Sequence, residues 1–308
     1  MRLAILILLL AVVGWRLSPV AYAKTSVAKV TAQRIIFFAP HPDDEMLGMG
    51  GSIWHAQHSS DTDYRVVIMT CGDAYKTAFD TWVSLNQARD LNLDGKIDLL
   101  DFGTARHNES LSALAALDVP PEKVIFLGYP DGGLGRLSPL GQPSYLSPFT
   151  NTDRVPYPFA YRYGAPYTAD SVVSELKEII LNFDATAVYS TTPTDAHPDH
   201  AMTSTYVSQA LRLAGGQRHH FEYLVHWESH MPAWPGQSSE WQDPTGHKPP
   251  DIRISLSTFK MDRSLKAAAL KLYVTQANVE VDYLEGFAKD SEIFWNARPL
   301  LSDYLNPL

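Results

Sequence analysis

The sequence predicts a three-layer α/β fold built on a mostly parallel sheet. Three observations carry that reading. Short apolar runs rich in β-branched and aromatic residues lack clean alternation, which suits strands covered on both faces. Helical patterns fall between those runs. Two clusters, His41-Pro42-Asp43-Asp44-Glu45 and His197-Pro198-Asp199-His200, each stand just after a predicted strand, where open α/β sheets place their chemistry.

The predicted strands are residues 34–39, 64–71, 123–128 and 185–191, with 220–227 and 252–256 as further candidates. Residues 109–117 and 171–181 carry apolar positions at helical spacing. Residues 199–213 follow a proline, which suits a helix start. Residues 257–276 read as one long helix with Ser257 and Thr258 as caps. Two stretches, 137–166 and 231–250, are loop-like but rich in aromatics such as Tyr145, Phe149, Tyr157, Tyr161, Tyr163, Trp234 and Trp241. They read equally as a sugar- or acyl-binding rim or as loops pinned to the body by their rings.

The chain has 308 residues, is 45% hydrophobic and 19% charged, and carries a net charge of −9. That balance argues against nucleic acid or an anionic membrane surface as partner. Residues 1–23 read as a signal peptide: Arg2, an apolar stretch over 3–13, and a small-x-small site at Ala21-Tyr22-Ala23. The apolar run is short of the ~20 residues a span needs, so a secreted or periplasmic protein with no stable membrane span after cleavage is expected. Residues 24–308 then form one domain. The single cysteine, Cys71, allows no intrachain disulfide and reads as a small buried hydrophobe.

Pro42 biases His41 towards an extended backbone that aims its side chain off the strand end. Asp43 and Asp44 fall at the start of the next helix, where the dipole favours carboxylates. His41 and Asp44 converge on one ion and leave Asp43 free as a base. Glu45 supports the helix start, and Gly48, Gly50 and Gly51 allow helix and sheet to approach. In the second cluster one of His197 and His200 ligates while the other faces substrate, and Asp199 orients His197 and favours its imidazolium. Two histidines and an aspartate with a vacant position are the ligand set of a catalytic zinc. His226 and His230 would line the same crevice or serve as structural histidines.

These residues resemble the LmbE-like (PIG-L) N-acetylglucosaminyl deacetylases. Their A-H-P-D-D-E opening is present as Ala39-Pro40-His41-Pro42-Asp43-Asp44-Glu45 with one extra proline, and their H-P-D-H as His197–His200. Arg106-x-x-Glu109 and Leu127-Gly128-Tyr129-Pro130-Asp131-Gly132-Gly133 are similar to two middle elements. Residues 266–276 and 287–295 resemble the tail, with Thr275-Gln276 in place of Ser-Gln. The resemblance implies a Rossmann-like fold and a hydrolase that removes acetyl from an N-acetylglucosamine-type sugar or glycoconjugate. It implies zinc on His41, Asp44 and His200, and Asp43 as general base. It makes His197 the oxyanion stabiliser or acid, oriented by Asp199, and puts Arg106 and Asp131 against sugar hydroxyls or a linked group. Some members carry a tyrosine two residues before the first histidine of the second motif; here Asp195 stands there.

A second site is expected within an insertion over about 77–104. Asp90, Asn92, Asp94, Lys96 (through its carbonyl), Asp98 and Asp101 occupy the ligand positions of a twelve-residue calcium loop with Gly95 at the turn. Asp101 in the last position is similar to dockerin-type loops. Residues 77–88 and 99–117 are the expected flanking helices, and calcium would brace the insertion so that Arg106 is placed. Two other readings stay open: a metal-dependent amidase on another N-acyl substrate, and a calcium-dependent binding module without catalysis.

Overall fold

The computed structural model describes residues 33–227, 235–236, 255–257 and 261–297, all within the unit that begins at Ala32. Its strands are β1 (Gln33–Ala39), β2 (Thr62–Thr70), β3 (Val124–Tyr129), β4 (Ala187–Thr191), β5 (His219–Tyr223), β6 (Ser255–Ser257) and β7 (Glu292–Asn296). They form one sheet in the order β3-β2-β1-β4-β5-β7-β6. The five strands from β3 to β5 run parallel; β7 pairs antiparallel with β5, and β6 with β7. Consecutive residues Ile36, Phe37 and Phe38 are all at most 1% exposed, so both faces of β1 are covered, as an all-parallel centre requires.

The helices are α1 (Asp44–Gln57), α2 (Lys76–Ser84), α3 (Leu99–Ala115), α4 (Ala169–Asn182), α5 (Pro198–Ala214), α6 (Arg263–Leu270) and α7 (Val274–Gly286). The expected four strands and the helices over 171–181 and 199–213 are present within two residues at each end. The helix expected over 99–117, of which only 109–117 carries clear apolar spacing, is α3, and it starts at Leu99 because Asp98 caps it in a reciprocal box with Asp101.

The single helix expected over 257–276 is instead two. Asp262, not Ser257 or Thr258, caps α6 through Ser264 N–H. The chain breaks at Tyr273 (φ −80°, ψ 65°), whose buried hydroxyl donates to Glu45 at 2.7 Å. A tertiary bond to the site thus overrides a locally helical pattern. Strand β7 was not anticipated, and the further strand expected over 220–227 ends at Tyr223. Of the strand expected over 252–256, the described residues begin at Ser255.

Residues 137–166 hold neither helix nor strand, only turns and isolated bridges. Val155, Tyr157, Ala160 and Ala165 are buried against the body, while Tyr163 is 67% exposed. The loop over 231–250 lies outside the described residues except for 235–236.

Candidate metal centre

Strands β1 and β4 are neighbours at the point where strand order reverses, so the segments leaving their carboxyl ends face one crevice. His41 follows β1 by two residues. Asp43 is the N-cap of α1 and makes no side-chain cap bond. His197 is the N-cap of α5, whose first turn carries Asp199 and His200.

Three donor atoms meet. Asp44 Oδ2 lies 3.1 Å from His41 Nδ1 and 3.0 Å from His200 Nε2, and the two nitrogens are 3.2 Å apart. A tetrahedral ion with bonds of ~2.0–2.1 Å has ligand–ligand edges of ~3.3–3.4 Å, so the spacing is that of one face of a zinc tetrahedron. His197 and His226 each bring a nitrogen within 4.8 Å of two members of this cluster. The electrostatics agree with the spacing. Burial alone would lower the pKa of His200, yet Asp195 and Asp44 push it up to about 9. His41 is likewise raised against its burial by Asp131, Asp199 and Asp44. Asp44 is driven down, against burial, by His200 and His41. The cluster is a pocket of negative potential that calls for a cation, and its donors fit zinc.

The far nitrogen of each histidine is held by carboxylates. His41 Nε2 is 3.2 Å from Asp131 Oδ1 and 3.4 Å from Asp199 Oδ2. His200 Nδ1 is 3.2 Å from Asp195 Oδ2. These contacts fix His41 as the tautomer presenting Nδ1 and His200 as the one presenting Nε2. The carboxylates are themselves anchored. Asp131 accepts Ala74 N–H at 2.8 Å, and Asp195 accepts the N–H groups of Val225, His226 and His197 at 3.0–3.1 Å.

Two partner assignments change. Asp199 was expected to orient His197 and favour its imidazolium. Its carboxylate instead accepts Gly132 N–H at 2.7 Å and Leu134 N–H at 3.1 Å and faces His41, because the first turn of α5 projects it towards residues 132–134. Its backbone N–H donates to His197 Nδ1 at 3.2 Å. Burial, then the neighbouring His41, His200 and His226, lowers the pKa of His197 to about 3, so His197 is neutral with its proton on Nε2. Asp131, expected against sugar hydroxyls, lines the cavity but has both oxygens engaged with His41 and Ala74.

Asp43 stands outside the donor triangle. Its Oδ2 is 3.1 Å from Arg106 Nη2, and its backbone N–H donates to Glu45 Oε2 at 2.9 Å. Glu45 in turn accepts the hydroxyls of Ser110 and Tyr273. Asp43 has φ 126°, ψ −33°, a strained backbone for a residue with a side chain, which such surrounding bonds sustain. Burial raises its pKa well above the usual carboxylate range, with Arg106 opposing. Arg106, expected against the substrate, also donates to Pro42 O at 2.7 Å and Gly72 O at 2.9 Å. A Cβ at Gly72 (φ +64°) would lie 1.8 Å from Arg106 Nη1, so only glycine admits this guanidinium.

These groups border a cavity of about 260 Å³, near the lower end of the ~300–1,000 Å³ of small-molecule sites. Its other wall comes from Tyr75 and from Gln276, Glu280 and Tyr283 of α7, with His226 after β5. Tyr283 hydroxyl is 3.1 Å from His226 Nδ1. No residue of 137–166 is among its lining. Asp195 had a sequence signal, since it sits two residues before the H-P-D-H motif; of the α7 wall Gln276 had one, through Thr275-Gln276 in the tail, while Glu280 and Tyr283 had none.

In the loop Asp90–Asp101 the carboxylates serve the loop's own backbone. Asp90 accepts from Asp94 and Gly95, Asn92 from Asp94, Asp94 from Lys96, and Asp101 from Leu91, Asn92 and Asp98. Helices α2 and α3 flank it, α2 ending at Ser84 rather than at the expected residue 88.

Two outcomes are expected from carboxylates around the centre. Asp195→Asn should weaken zinc binding and activity together by ~10–100-fold, the usual cost of an outer partner of a metal-bound histidine. Titration of the apo protein against a competing chelator reads this directly. Asp73 is 1% exposed; it accepts Tyr157 hydroxyl at 2.6 Å on Oδ2, while Oδ1 has no partner among the described residues. Burial, then Asp131, raises its pKa to about 7. A carboxyl whose folded pKa is raised costs nothing below its unfolded value and destabilises the fold as pH climbs from ~4 to about 7. Asp73→Asn should therefore melt higher than the parent at pH 8, by on the order of 2–4 kcal/mol, and equal it at pH 4.

Residues 36–211 match the family model described as PIG-L, GlcNAc-PI de-N-acetylase. The chain is similar to the 1D-myo-inositol 2-acetamido-2-deoxy-alpha-D-glucopyranoside deacetylase of Mycobacteroides abscessus, 25% identical over 271 residues, 82% of this chain and 85% of that protein. The enzyme of the same name from Mycolicibacterium gilvum is 27% identical over 196 residues, 62% of this chain and 59% of its own length. Among solved structures, the zinc-inhibited form of teicoplanin deacetylase Orf2 superposes with a TM-score of 0.54 at 18% identity, over 87% of this chain and 100% of that one. At that identity the likeness bears on fold alone.

Proposed function

The chain belongs to the PIG-L (GlcNAc-PI de-N-acetylase) family, and from that premise we propose that it is a zinc-dependent hydrolase that removes the acetyl group from an N-acetylglucosamine-type sugar and releases acetate. The observation that carries this reading is the donor triangle of His41, Asp44 and His200, with the Asp43 carboxylate beside it and outside it. The deacetylases to which the chain is similar act, by name, on an N-acetylglucosamine-type sugar.

Zinc held by His41, Asp44 and His200 would supply a Lewis acid that lowers the pKa of a water and polarises the acetamide carbonyl. Asp43 accepts the proton of the attacking water and passes it to the sugar nitrogen as the C–N bond breaks, giving acetate and a free amine. Arg106 keeps the Asp43 carboxylate turned into the cavity. His197, neutral and with Nδ1 occupied by Asp199 N–H, donates Nε2–H to the oxygen that gains charge, a contact commonly worth ~3–4 kcal/mol. The test is acetate release from a panel of N-acetylated glycans, with metal measured on the same sample. Zinc-loaded protein that releases no acetate from any of them rejects the reading.

The finer parts of the proposal are export and calcium. The signal-like residues 1–23 support a secreted or periplasmic enzyme, and no described helix is long and apolar enough to cross a membrane. The oxygen spacing of Asp90, Asn92, Asp94, Asp98 and Asp101, with the Lys96 carbonyl, supports a calcium ion that braces the segment between α2 and α3. A calcium-selective chelator should lower the melting temperature, and returning calcium should restore it. Melting and activity both indifferent to the chelator would remove calcium from the proposal.

A further inference from the structure

Helix α7 is interrupted at Glu280, which has φ −136°, ψ 33° inside an otherwise helical run. A kink has a cause, and here it comes from the segment that leads into and follows α2. Tyr75, the N-cap of α2, donates its hydroxyl to Glu280 Oε1. Val279 packs on the small core of Ala78, Trp82 and Phe102, and Asn278 donates to Gln87 Oε1 at 2.9 Å. Three consecutive residues of α7 are thus held from one side, and the third sends its carboxylate to the cavity wall.

That wall is the half-buried end of the pocket; His41 and Asp44 lie at the buried end. Among the described residues Glu280 Oε2 bonds nothing, and Arg106, the one described Lys or Arg lining the cavity, is committed to Asp43, Pro42 and Gly72. A group attached to the amino sugar therefore meets a carboxylate and a phenol, with no lysine or arginine among the described residues free to pair an anion. Resting on the deacetylase reading above, the geometry points to Glu280 as a specificity residue that accepts a hydrogen bond from a neutral, hydroxyl-bearing group linked to the sugar, such as a second sugar or a cyclitol, and excludes phosphate or carboxylate there. Discrimination by like charge is repulsion built into the site.

The test compares the zinc-loaded enzyme on methyl N-acetylglucosaminide, an N-acetylglucosaminyl disaccharide and N-acetylglucosamine 1-phosphate, by kcat/KM for acetate release. The neutral substrates should lead the phosphate by ~10-fold or more, and Glu280→Gln, which still accepts the Tyr75 hydroxyl, should narrow that ratio to within ~3-fold. Glu280→Asp should restore the preference, and raising salt should narrow it in the parent enzyme, since repulsion between charges at a half-open site is screened. A purely structural Glu280 would lower all three substrates alike and leave the ratio where it was. An unchanged ratio in Glu280→Gln, or a parent enzyme that prefers the phosphate at low salt, overturns the inference alone. The salt series on the parent enzyme decides it even if the variants fail to fold. Silence on every sugar, neutral ones included, overturns the deacetylase reading and this one with it.

Discussion

Asp43→Asn is expected to lower kcat by ~10²–10⁴-fold, the range for losing a positioned general base, while zinc content stays that of the parent. The separation between chemistry and metal follows from geometry. Asp43 is next to Asp44 in sequence, yet its Oδ2 is 3.1 Å from Arg106 Nη2 and it takes no part in the 3.0–3.2 Å triangle. An amide oxygen still accepts from Arg106, and asparagine tolerates the positive φ at this position as well as aspartate does. The fold is expected to gain. Burial, opposed by Arg106, raises the folded pKa of Asp43, so its ionisation weakens the fold at any pH above the unfolded value. The amide removes that cost, and the variant should melt at or above the parent at neutral pH. Acetate release, zinc by atomic absorption and a thermal melt on one preparation check all three. A variant that keeps both its zinc and full turnover would take the base away from Asp43.

Much of this is legible in the sequence. Residues 34–39 and 185–191 are short runs that suit a doubly covered strand, and each ends within six residues of a histidine. Since strand ends at a topological switch point share one crevice, local pattern could bring together His41, Asp44 and one of His197 and His200, and the family resemblance chose His200. What the pattern does not encode is contact across loops. Asp131 and Asp199 were read as facing the sugar and His197, yet both turn to His41, a choice made by the packing of α5 on residues 132–134. The split of the last predicted helix has the same origin, because Tyr273 leaves helical geometry to reach Glu45. Strand β7 is placed by antiparallel pairing with β5 and β6, contacts that local pattern does not show. Beyond Gln276, which the tail motif marks, the α7 wall was illegible for a further reason: Glu280 and Tyr283 follow ordinary helical spacing, and a substrate wall needs shape rather than a motif.

His200→Ala should abolish stoichiometric zinc binding and with it measurable turnover, a loss well beyond the ~10–100-fold expected for Asp195→Asn. The two differ because one removes a donor and the other its support. His200 is 0% exposed and sits between Asp44, 3.0 Å away, and Asp195, 3.2 Å away. With the imidazole gone, Asp195 and Asp44 lose the cation between them while Asp44 keeps His41 at 3.1 Å, and unpairing a buried charge costs up to ~3–5 kcal/mol. The apo variant should therefore melt below the apo parent. The gap should close as pH falls, since the parent depends on charged partners that acid neutralises: Asp44 and Asp195 both have folded pKa values held down, against burial, with His200 the main cause, so their contribution is present above the unfolded carboxylate range and lost on descending through the folded values. Metal analysis after exhaustive dialysis, paired with apo melts at two pH values, separates this from a general folding defect. If the alanine variant retained one tightly held zinc and normal acetate release, the ion would have to be placed on His41, Asp44 and another donor, and His226 or His197, each within 4.8 Å of members of the cluster, would be the next to replace.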